Sequence, residues 1–201
     1  MIITLFLIIL SVLIILLVLA GLVAVIYNRL VTLKNRFKNA FAHIDVQLRR
    51  RYDLIPNLVN AAKTYLGHED QALEAVIQAR GQANSAQISL AGDPTQLSAL
   101  GRLAEANGQL SAALGRLLAT IEASPELKAD RVILETKEEL ANTENRIAFA
   151  RQAYNDAAMF YNEARERLPA VLFSEMFGFG LAEFWHDDDP QAAAVPPEVI
   201  F

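Results

Sequence analysis

An all-α chain is predicted: an N-terminal transmembrane helix followed by a long antiparallel up-down bundle of about four helices. Two observations predict it. Residues 1–28 contain no charged side chain, and Ile2 to Ile26 is almost unbroken Leu, Ile, Val, Ala and Phe. After that, long runs of Ala, Leu, Gln, Glu and Arg, which are strong helix formers, are separated by sparse Gly and Pro punctuation.

The apolar leader is read first. Twenty-five residues at ~1.5 Å each exceed the ~30 Å hydrocarbon core of a bilayer. A cleaved secretory signal would need a basic start, an apolar stretch of ~7–15 residues and a small-residue cleavage site. None of these fits. Leu19, Ala20 and Gly21 resemble the front of a lipoprotein box, but Leu22 stands where a Cys is required, and the chain has no Cys. A buried core helix is excluded by size, since a helix apolar on every side needs more protein around it. The expectation is an uncleaved single-pass anchor. Arg29, Lys34, Arg36, Lys38, Arg49, Arg50 and Arg51 stand against Asp45 just past the span, which predicts a cytoplasmic bundle and an outside N-terminus.

The expected organisation is therefore an anchor over 1–27, a bundle over 28–168 and a tail over 169–201. The net charge of −5 is local to the tail, where Glu183, Asp187, Asp188, Asp189 and Glu198 have no Lys or Arg beside them. Elsewhere 18 acids balance 18 bases. No basic stripe of the kind that binds nucleic acid remains.

The first bundle helix, about Arg29 to Leu66, extends the anchor and repeats Phe37, Phe41, Ile44, Leu48, Tyr52, Ile55, Leu58, Ala62 and Tyr65 at steps of three or four. Pro56 is expected to interrupt it, by a kink or by a new start capped by Asp53, and Gly67 to stop it. A second helix covers about Glu69 to Leu90 and ends at the turn cluster Ala91, Gly92, Asp93, Pro94. A third covers about Thr95 to Glu122, with Gly101, Gly108 and Gly115 seven apart, where neighbouring helices could approach closely. The fourth is expected from a Ser124 cap with Pro125 in the first turn through Leu168. Ile133, Leu140, Ile147, Tyr154, Tyr161 and Leu168 recur in it at every seventh residue, a coiled-coil seam.

An up-down order returns the chain to the bilayer after the fourth helix. There the aromatic residues concentrate, and Phe177, Phe179, Phe184 and Trp185 are candidates for the membrane interface, for docking on the bundle or for a subunit contact. The terminal Val199, Ile200 and Phe201 after Pro196 and Pro197 could dock in a groove.

Linear spacing offers little chemistry. His43, His68 and His186 stand alone, Gly178–Gly180 lacks a third glycine, and no serine sits in a GxSxG elbow. No catalytic, metal or cofactor residue is assigned, and no enzyme is expected. The polar residues set into the apolar pattern are the candidates instead: Asp45, Arg50, Arg51, Asp53 and Asn57 on the first helix, and Glu144, Asn145, Arg151, Asn155 and Asn162 on the fourth. Buried charges persist only when paired, so these are expected to meet across the long helices and fix their register. Tyr154–Asn155 and Tyr161–Asn162, one heptad apart, place a ring in the seam with an amide beside it.

Ile44-Asp45-Val46-Gln47-Leu48, Asp53-Leu54-Ile55-Pro56-Asn57-Leu58, Ala79-Arg80, Glu144-Asn145-Arg146 and the closing Pro197-Glu198-Val199-Ile200-Phe201 together resemble the LemA family over essentially the whole chain. The resemblance implies a single-pass bacterial inner-membrane protein with a cytoplasmic helical bundle. It carries over no catalytic residue, and it associates relatives with membrane organisation and membrane-linked proteolysis. The functional expectation is a scaffold that self-associates on the lipid bilayer as a homo-oligomer. The alternative is a tethered adaptor or sensor that recruits a membrane-protein partner.

Overall fold

In the computed structural model, which describes residues 2–66, 71–90 and 97–186, the apolar leader and the first bundle helix are one element. Helix α1 runs Ile2–Leu66, 65 residues, or ~98 Å at helical rise. Its first part is exposed on all sides, and burial begins at Leu30, where the bundle closes around it. Helix α2 (Gln71–Leu90) and helix α3 (Leu97–Ala123) follow. A short α4 (Pro125–Ala129), a long α5 (Arg131–Glu166) and a four-residue α6 (Val171–Ser174) complete the described helices. The expected stop at Gly67, the turn at Ala91–Pro94, the acids Asp187–Asp189 and the terminal Val199–Phe201 lie outside the described residues.

The two most extensive helix pairings are α1 with α5 and α2 with α3. Helices α1 and α5 are antiparallel, because Phe37 meets Tyr161, Phe41 meets Tyr154 and Arg51 meets Glu144. The heptad seam is buried as its spacing demands: Ile133, Leu140, Ile147, Tyr154 and Tyr161 are enclosed, with the small Thr136, Thr143 and Ala164 between them. Opposite lie Phe37, Phe41, Ile44, Leu48, Ile55 and Leu58, all buried. The rings of the two helices meet edge-on or tilted, Phe41 with Tyr154 and Phe37 with Tyr161, the arrangement aromatic pairs favour.

Four details depart from the sequence reading. The expected fourth helix is two helices, because the Asp130 carboxylate accepts hydrogen bonds from the Val132 and Ile133 amides and starts a new N-terminus. Ser124 precedes Pro125 as expected but makes no side-chain cap bond. Helix α5 ends at Glu166, short of Leu168, with Arg167 already extended (ψ 146°). Gly101, Gly108 and Gly115 are exposed, and a β-carbon added at any of them would meet nothing within 4 Å, so among the described residues no helix uses them for close approach.

Past α5 the chain turns through α6, reverses at Gly178 in the left-handed region (φ 72°), which glycine tolerates, and returns extended along α5. The caps give a first test. Asp130→Ala should lower the thermal midpoint of the full chain in detergent by a few degrees, read by circular dichroism, because two amides and the Tyr65 hydroxyl lose their acceptor. Ser124→Ala should leave the midpoint unchanged.

Candidate functional site

Polar side chains gather at mid-height of the bundle, where α1 faces three partners. Asp45 takes a 2.6 Å hydrogen bond from the Gln87 amide of α2, which also donates to the Asp45 carbonyl, and pairs with Arg49 one turn on. Tyr52 donates to Asn107 Oδ1 on α3 at 2.9 Å, and Asn107, fully buried, donates in turn to the Leu103 carbonyl. Burial pushes the Tyr52 hydroxyl up to about 12, against the opposing pull of its bond to Asn107.

Arg51 is the most enclosed charge of the group, at 3 % exposure. Its Nη2 donates to Ser111 Oγ at 2.9 Å and its Nη1 lies 3.0 Å from Glu144 Oε2 on α5, an ion pair without the angle of a straight hydrogen bond. Burial lowers the proton affinity of this guanidinium, while the Glu144 charge works the other way and that of Arg151 adds to the lowering. Arg50 pairs with Glu139 at 2.6 Å on the exposed side of the same interface.

Pro56 does not interrupt α1, contrary to the sequence reading. A proline at this position cannot donate to the carbonyl four residues earlier, that of Tyr52. The Arg80 side chain of α2 supplies the missing donor, its Nε lying 2.7 Å from the Tyr52 oxygen. The helix therefore continues with the Tyr52 carbonyl bonded.

Three of the sequence candidates stand outside this cluster. Asp53, Asn57 and Asn145 are exposed, Asp53 at the rim of the space between α1 and α2. Asn155 and Asn162 are also redirected: their amides do not cross to α1 but hold the returning tail. Asn162 Nδ2 donates to the Ala182 carbonyl and its Oδ1 accepts from the Ala182 amide, and Asn155 does the same to Trp185, all at 2.8–3.0 Å. The Tyr161 and Tyr154 hydroxyls donate to the Gly180 and Glu183 carbonyls, and Arg165 Nε to that of Phe179. Arg151 lies over the Trp185 ring at 4.9 Å, and Lys34 over Phe179 at 5.7 Å. Phe179 and Trp185 are buried on the bundle, whereas Phe177 and Phe184 remain exposed.

Between α1 and α2 lies an open cleft of about 630 Å³, lined in part by Asp45, Arg49, Asp53, Arg80 and Gln87. Most of these polar groups are engaged in joining the two helices. Among the described residues no three His, Cys, Asp or Glu side chains come together as a metal site. Sequence reasoning missed Arg80, Gln87, Asn107 and Ser111. Their signal was present, since Arg80 and Gln87 share one face with Leu73, Val76, Ala83 and Leu90, and Asn107 sits between Leu103 and Leu110 on an apolar stripe.

Four outcomes follow for chemical denaturation of the full chain. Arg80→Ala should cost about 1–3 kcal/mol by leaving the Tyr52 carbonyl without a donor. Adding Pro56→Ala should restore most of it, because the new backbone amide reaches that oxygen, so the double-mutant cycle should show strong coupling. Glu144→Ala should cost about 2–3 kcal/mol, below the ~3–5 of a fully buried pair because Glu144 is half exposed. Arg51→Met should cost less than Glu144→Ala, since it removes the buried charge and leaves the surviving carboxylate in water.

The sequence has relatives among known proteins. The LemA family model matches residues 40–201, a stretch that includes the polar cluster, Pro56 with its Arg80 partner, and the clamped tail. The magnetosome protein MamQ of Magnetospirillum gryphiswaldense is 27% identical over 179 residues, covering 80% of this chain and 65% of its own length. Magnetosome proteins MamQ 1 and MamQ 2 of Paramagnetospirillum magneticum are each 28% identical over 176 residues, with the same coverage. This protein thus spans 65% of the length of these curated relatives. With a family model matched over most of its length, the chain belongs to the LemA family.

Proposed function

We propose that this protein is a non-enzymatic, membrane-anchored helical scaffold that self-associates and organises the bacterial inner membrane. The observation that carries this reading is the continuity of α1. One 65-residue helix is both the apolar span and the longest wall of the bundle, so a force or contact on the bundle is passed to the bilayer without a flexible joint. The buried polar groups support it, because they are spent on joining helices. The basic residues Arg29, Lys34, Arg36 and Lys38 at the exit of the span favour a cytoplasmic bundle. Its relatives are named as magnetosome proteins, and a structural part in a cellular assembly suits a rod of this kind.

The polar cleft between α1 and α2 favours a second reading, a tethered adaptor that recruits another membrane protein. Cross-linking in native membranes followed by mass analysis separates the two. The scaffold predicts adducts at multiples of the 22.2 kDa chain, and a matching oligomer in lipid nanodiscs at cellular concentration. A monomer under both conditions overturns it. A foreign adduct that survives deletion of Ile2 to Ile26 supports the adaptor.

A further inference from the structure

The turn that joins α5 to the returning tail is apolar on its outer side and lies where α1 leaves its span. Leu168, Leu172 and Met176 are 77%, 68% and 70% exposed, and Val171 and Phe177 are exposed as well. On the inner side Ala170 and Ser174 are buried. Within ten residues the segment therefore has one face packed on protein and one large apolar face turned outward, a pattern that water disfavours and an interface accepts.

Its height along α1 is fixed by ring contacts. Tyr27 meets Phe177 and Phe179 edge-on, with centroids 5.5 Å and 5.4 Å apart. Tyr27 is the first residue past the unbroken apolar stretch, and a tyrosine there belongs at headgroup level. Ile26 packs against the bundle core, and Val23, ~4.5 Å farther along the axis toward the span, is partly covered. The protein body thus overlaps the last turn of the anchor, and whatever lies outward of that turn lies at the acyl boundary.

We infer that residues 168–177 insert their outer apolar face into the lipid at the boundary between headgroups and acyl chains, as a second membrane contact beside the anchor. The inference rests on the anchored reading of α1. The contact is apolar rather than electrostatic, because the one charged residue of the segment 168–177, Glu175, lies 3.6 Å from Arg165, which offsets its charge. A segment fixed beside α1 also resists tilt of the anchor relative to the bundle, since rotation about the exit would lift the turn out of lipid.

The chain has no cysteine, so single-cysteine variants can carry a nitroxide without background. Leu172→Cys and Met176→Cys, with Phe149→Cys on the exposed outer face of α5 and Leu13→Cys within the span, are reconstituted as full-length protein in phosphatidylcholine vesicles. Collision with oxygen, which concentrates in lipid, is compared with collision with a water-soluble nickel complex. The expected result is a several-fold excess of oxygen over nickel contact at 172, 176 and 13, with the reverse at 149, unchanged when phosphatidylglycerol is added. Nickel contact at 172 and 176 equal to that at 149 overturns the inference while lipid exposure at 13 keeps the anchor. Low contact with both reagents at 172 and 176, the mark of cover by a second copy, overturns it too, as does insertion that needs the anionic lipid. Nickel contact at 13 overturns the anchored reading itself.

Discussion

A backbone that crosses lipid finds no water to bond, so residues 2–26 have to satisfy their amides and carbonyls within one helix. Because α1 continues past that boundary without a break, the same constraint propagates into the bundle. The bundle's longest wall is thus a direct extension of the apolar segment, and α5 packs along it. The repair at Pro56 belongs to this logic. A broken helix there would have divided the wall at mid-height, and Arg80 prevents it by supplying the donor that proline lacks.

The clamp on the tail works through a coincidence of two repeats. Seven helical residues rise ~10.5 Å and three extended residues ~10 Å. Tyr154–Asn155 and Tyr161–Asn162, seven apart on α5, therefore meet backbone groups three apart on the tail: Glu183 and Gly180 for the hydroxyls, Trp185 and Ala182 for the amides. Each ring fills the seam against Phe37 or Phe41 while its hydroxyl points sideways to the tail. One residue thus serves the core and the strap together. The bonds read only main chain, so what identifies this stretch as the occupant is the pair of buried rings, Phe179 under Lys34 and Trp185 under Arg151.

The sequence made the periodic part of this fold legible. Burial along a helix leaves a mark at every third or fourth residue, and Ile133 through Tyr161 carry that mark plainly. What periodicity does not carry is the identity of the group that satisfies a polar atom. Asn155 and Asn162 were visible as amides beside a seam, yet α1 and a returning tail are equally good partners until the chain's path is known. Arg80 stood on the apolar stripe of α2, and its purpose depended on a proline 24 residues earlier on another helix. Asp130 was likewise hidden: a long helical pattern and two helices joined by a cap look alike until a side chain claims the new first-turn amides.

The chemistry along α1 is graded, and the grading answers a problem that long apolar seams create. Two helices packed through a heptad can slide by ~10.5 Å and find similar apolar neighbours again. Near the membrane, from Tyr27 to Phe41, large rings dominate, and rings alone tolerate such a slip. From Asp45 to Tyr52 the contacts become directional: Asp45 with Gln87 on α2, Arg51 with Ser111 on α3 and Glu144 on α5, Tyr52 with Asn107 on α3. A one-heptad slip of α2, α3 or α5 would leave a buried amide, hydroxyl or guanidinium without its partner, and each orphan costs about 1–3 kcal/mol. Three neighbours are thereby registered against one helix within eight residues. Register fixed there is fixed for the apolar stretches on either side, because each helix is continuous through them.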